Sequence, residues 1–146
     1  MDLTAILSQW EEECTIGLNF DEASRNTPKL HAKYLGFYTQ AKLLLKREEA
    51  KQQLLLKNKF LWYNGKLSQE EVQSLGWDPD PFDGLKIMKG DLTYYYDSDP
   101  EIQQSEAKIV YYKTMVETLK EIVDSLKGRH QTISNAIRWR QFEAGG

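Results

Sequence analysis

Apolar residues recur at helical spacing along most of the chain. Leu3, Ile6, Leu7, Trp10 and Cys14 share one face of a short first helix. Thr27-Pro28 reads as an N-cap followed by proline at the first helical position, where the missing N–H costs nothing. A helical pattern then runs from 28 to Tyr63, and Asn64-Gly65 supplies a left-handed stop. Ser68-Gln69-Glu70-Glu71 is a capping box for a short helix that Gly76 ends. "GWDPDPFDG" reads as a turn-rich connector. Leu85, Met88, Leu92 and Tyr95 fit a further helix with Asp83 as its cap; the alternative is a hairpin turned at Gly90-Asp91.

The last segment is the most regular. Asp99-Pro100-Glu101 starts a helix with a cap, a first-turn proline and negative charge at the positive end of the helix dipole. Ile102, Ile109, Val116 and Val123 recur every seven residues, as do Tyr112, Leu119 and Leu126 in a second register. The repeat continues through His130 and Ile137 in the first register and Ile133 in the second. Such a repeat predicts a coiled-coil-like seam. Gly128 falls on its outer face, so the pattern carries the helix through it. The expected fold is all-α. The seam needs a partner, which is either the long helix 28–63 or another copy of the chain.

Composition narrows the class. At 146 residues the chain is about one domain. No apolar run approaches the ~20 residues that span a membrane, and the N-terminus does not read as a signal peptide. Cys14 is the only cysteine, so no disulfide can form within the chain. The net charge of −3 conceals segregation: −5 over residues 1–28, +7 over 29–66, −8 over 67–107 and +3 over 108–146. A basic block of that density suits a polyanion, but adjacent blocks can equally neutralise each other.

Catalytic and metal chemistry find no footing. His31, His130 and Cys14 make no zinc set. Asp78, Asp80 and Asp83 depart from a calcium loop at Phe82 and at two prolines, and read as an acidic turn. No catalytic residue, metal ligand or cofactor site is expected. Two basic-aromatic clusters remain. In "LLLKNKFLWYNGK", Lys59, Trp62 and Tyr63 share a helix face, while Lys57 lies about 160° round from Lys59 and Lys66 follows the glycine turn. In "RWRQF", Arg138 and Arg140 flank Trp139 ahead of Phe142. Cations beside rings suit single-stranded nucleic acid. Equally, the rings can be core anchors whose neighbouring cations snorkel to water.

"PKLHAKYL", "LLKNKFLWYNGKL", "GWDP", "KIMKGDL" and "RHQTISNAIRWRQFEAG" resemble, in order, the UvsY family of recombination mediators of T-even-type phages and their relatives. The resemblance implies a small helical protein without enzymatic activity, working in the cytoplasm of the infected bacterial host. It would bind single-stranded DNA, form a closed ring of six or seven copies, and contact a RecA-like phage recombinase and the phage single-strand-binding protein. The family's DNA-binding motif corresponds here to Lys57, Lys59, Trp62 and Tyr63; Lys66, Arg138 and Arg140 are further candidates. The family's C-terminal region is tied to assembly, which points to Ile109, Tyr112, Val116, Leu119, Val123, Leu126, Ile133 and Ile137. Residues 1–146 would form one domain, with 1–98 the DNA-binding part and 99–143 the assembly helix.

The chain departs from the family at His130, where glycine is common, and at Ser134, where lysine is common. Losing that lysine weakens the C-terminal helix as a DNA site and favours its role in assembly. The competing functional class is a helical scaffold that binds only protein, its acidic block 67–107 meeting a basic partner.

Overall fold

The computed structural model describes residues 1–145 and is all-helical, with no strand among them. Six helices follow in order: α1 (Leu3–Glu13), α2 (Phe20–Tyr63), α3 (Gln69–Leu75), α4 (Leu92–Asp97), α5 (Pro100–Lys127) and α6 (Arg129–Glu143). Several helix starts are set by side-chain caps. Asp2 accepts from the Thr4 N–H, Ser68 from Glu71 at 3.2 Å, and Asp99 from both Glu101 and Ile102.

Three boundaries differ from the sequence reading. α2 is 44 residues long and starts at Phe20, two turns before the expected cap. Asn19 is the cap, its Oδ1 accepting from Glu22 N at 3.0 Å, with Asp21 and Glu22 favourably placed in the first turn. Pro28 therefore lies inside the helix, where it cannot bond to the Ser24 carbonyl. Thr27 donates its hydroxyl to the Ala23 carbonyl instead of capping.

At Gly128 the C-terminal helix breaks for one residue. The Gly128 N–H still donates to Asp124 O at 3.3 Å, but Gln131 N bonds to Gly128 O, three residues back, so the ladder tightens locally. The third difference is at 85–96: Leu85 to Met88 are not helical, a short 3₁₀ turn covers Lys89–Asp91, and only α4 is α-helical.

The chain forms two compact units. One comprises Met1–Leu44 and the chain from Tyr112 onward; the other is Leu45–Tyr111. The first is built around Ile6, Leu30, Tyr34, Ala41, Met115, Leu119, Ile122, Val123 and Leu126, with Trp10 and Phe37 edge-on to the Tyr34 ring. Here the early part of α2 partners the seam. Leu119, Val123, Leu126 and Ile133 are buried, Tyr112 and Val116 half-buried, and His130 and Ile137 exposed. Ile102 and Ile109 are buried in the second unit.

Candidate nucleic-acid interface

The end of α2 is fixed by backbone geometry. Gly65 adopts φ +66°, which lets Lys66 N reach Leu61 O at 2.8 Å and Gly65 N reach Trp62 O at 3.1 Å. These two bonds form a Schellman stop and satisfy carbonyls that would otherwise be orphaned. The basic-aromatic residues of the second unit lie at or beside this stop.

Lys59 is not a surface cation. It is 3% exposed, and its Nζ lies 3.0 Å from Asp99 Oδ2 and 3.4 Å from Glu101 Oε1. The rings of Trp62 and Trp77 cover it, with centroids at 4.6 and 4.1 Å. Tyr63, also buried, donates its hydroxyl to the same Asp99 Oδ2 at 2.6 Å. Because Asp99 Oδ1 caps α5, this one carboxylate receives four donors. Burial pulls the Asp99 pKa upward, but hydrogen bonds from Tyr63, the Ile102 N–H and Lys59, with the Lys59 charge, outweigh it and hold it below the usual value. Burial first, then the Asp99 carboxylate, push the Tyr63 phenol well above its ordinary range, so it remains a donor. The arrangement is a buried ion pair within an aromatic box, satisfied on every side.

The remaining candidates divide. Trp62 is half-buried and donates Nε1 to Asp78 O at 2.8 Å, which ties the "GWDP" connector to α2. Lys57 and Lys66 are exposed, and the Lys66 ammonium lies 6.0 Å from the centroid of Phe60, itself 52% exposed. Arg138 and Arg140 belong to the first unit. Arg140 donates to Leu18 O at 2.8 Å and stacks 4.0 Å over Phe20, securing the approach to α2, while Arg138 is exposed. Trp139 and Phe142 stack on each other at 5.5 Å and are both largely exposed.

Sequence spacing does not pair Lys59 with Asp99 or Trp77. Asp99 was visible as a cap, but nothing local marks its other oxygen as a counter-ion for a residue forty positions earlier. The acidic connector folds on itself: Asp80 accepts from the N–H groups of Phe82 and Gly84. Among the described residues, no group of three or more His, Cys, Asp or Glu is placed to hold a metal ion, and no helix is long and apolar enough to cross a membrane.

The family model described as "Recombination, repair and ssDNA binding protein UvsY" matches residues 9–146. The chain belongs to the UvsY family. Its fold is that of the bacteriophage T4 recombination mediator protein UvsY. One crystal form of that protein shares 19% identity, covers 99% of this chain and 98% of its own, and superposes with a TM-score of 0.78. A second shares 17%, covers 98% and 99%, and gives 0.76. No curated protein matches in sequence. At this identity the solved structures show the shared UvsY fold, and the family assignment rests on the sequence match over residues 9–146.

Proposed function

We propose that this protein is a non-enzymatic recombination mediator. It binds single-stranded DNA, assembles into a ring, and helps load a RecA-like phage recombinase onto strands that the phage single-strand-binding protein covers. Membership of the UvsY family is the observation that carries this reading. Of the motif's two lysines only Lys57 has the exposure that phosphate contact requires, with Lys66 and Arg138 as further exposed cations. Lys59 is neutralised by Asp99 and Glu101, so its part is to hold the end of α2 rather than to touch the strand. In a ring, each weak contact recurs on every copy and acts at high effective concentration once the first has formed. A strand held along such a surface takes a path that disfavours the covering protein and favours recombinase nucleation.

Fluorescence anisotropy of a labelled single-stranded oligonucleotide at low and moderate salt tests the reading. Binding that weakens steeply with salt is expected. No binding at low salt overturns it in favour of the protein-only scaffold.

A further inference from the structure

Beside the stop of α2 lies an open groove of about 260 Å³ whose walls include Phe60, Asn64, Lys89, Leu92 and Tyr96. Phe60 and Asn64 stand one helical turn apart, and Asn64 donates to the Phe60 carbonyl at 2.7 Å, which fixes that wall. Opposite, α4 supplies Leu92 and Tyr96, and the 3₁₀ turn supplies Lys89. The Tyr96 ring meets Tyr63 edge-on at 6.3 Å, so it is braced by the residue bonded to Asp99. No lining residue is acidic. Two cations stand at this place, Lys89 in the lining and Lys66 over the Phe60 ring.

We infer that this groove seats a nucleobase of the bound single strand, stacked on Phe60, with Lys66 and Lys89 meeting the flanking phosphates. The inference rests on the single-strand reading above and adds a base contact on Phe60 to the motif's cations and paired rings, of which Tyr63 also lines the groove. Size favours one flat ring system: the groove is smaller than the roughly 300–1,000 Å³ of pockets that enclose a drug-sized ligand. Charge favours a polyanion over a basic peptide, since cations flank the rings. The surface the walls present to the groove is mainly apolar, so the seat accepts any base, as stacking platforms on single strands do.

The test compares a labelled oligothymidylate with a strand of equal length made of abasic residues, for the full-length wild type, Phe60→Ala, Phe60→Tyr and Lys89→Ala. The wild type should prefer the strand with bases. Phe60→Ala should bind it about tenfold more weakly, with abasic affinity unchanged, and Phe60→Tyr should restore the preference. Lys89→Ala should lower the slope of log affinity against log salt by about 0.7 per site engaged. Phe60 is half in solvent, so helicity by circular dichroism should stay at the wild-type level in its variants.

A Phe60→Ala protein that keeps the base preference overturns the inference while leaving single-strand binding intact. So does one whose mass in light scattering falls along with binding, because the groove then seats a neighbouring copy. A wild type that binds neither strand overturns the underlying reading as well.

Discussion

Lys59 and Lys57 are two positions apart in sequence and have opposite fates. Helical spacing correctly places Lys59 on one face with Trp62 and Tyr63, and that face turns inward onto Asp99. The spacing was legible because it is local. The burial was not, because Asp99 arrives from the start of another helix. Removing the Lys59 ammonium strands a carboxylate that is almost wholly enclosed. Lys59→Ala should therefore lose about 3–5 kcal/mol of stability in urea unfolding, whereas Lys57→Ala should stay within about 0.5 kcal/mol.

The lowered pKa of Asp99 fixes the sign of its pH dependence. Its contribution is complete above the unfolded value of about 3.9 and is lost as pH falls through the lower folded value. Asp99→Asn should be less stable than wild type at neutral pH, and the gap should shrink below about pH 4. Equal pH profiles for the two proteins in thermal melts would remove Asp99 from this role.

At the scale of elements, the helices themselves were legible and their edges less so. Caps at Asp2, Ser68 and Asp99 work as local chemistry predicts. Thr27-Pro28 misled because a proline tolerated at a helix start is also tolerated inside a long helix anchored on both sides, here by the Asn19 cap and buried Ala23 upstream and Leu30 downstream. Gly128 misled in the other direction, since a heptad that continues across a glycine does not oblige the backbone to follow.

Gly128 and Gly65, both at helix ends, respond oppositely to alanine. Gly128 has negative φ, and an added Cβ would meet only carbonyl oxygens at 3.8 and 4.0 Å. Gly128→Ala should gain about 0.4–1 kcal/mol, a rise of a few degrees in Tm. Gly65 sits at φ +66°, so Gly65→Ala should lose about 1–2 kcal/mol. Equal Tm shifts for the two would contradict the assigned backbone geometry.

For the whole molecule, the heptad repeat marks a face of which Leu119, Val123 and Leu126 are buried in the first unit's core with Leu30, Tyr34 and Ala41 of α2, whereas His130 and Ile137 are exposed. A single chain cannot reveal whether such a face is filled from within or by another copy, because both bury the same residues. Leu119 is fully buried in that core, so Leu119→Asp should abolish folding rather than assembly alone. The exposed, stacked Trp139 and Phe142, with Ile137, are the stronger candidates for contacts between copies. Trp139→Ala with Phe142→Ala should lower the mass in light scattering and leave helicity intact; an unchanged mass would move the contact elsewhere.

The alternating charge blocks were plain in the sequence, but not which cations are already spent within the fold. Lys59 is, and Lys57 and Lys66 are the exposed cations of the motif region. The salt dependence of single-strand affinity, measured in the wild type and in Lys57→Ala with Lys66→Ala, bears most directly on that division of roles. The wild type should show a steep slope, and the double variant a slope smaller by about 0.7 for each phosphate it no longer neutralises. A double variant that retains the wild-type slope would contradict the placing of these two lysines on the strand.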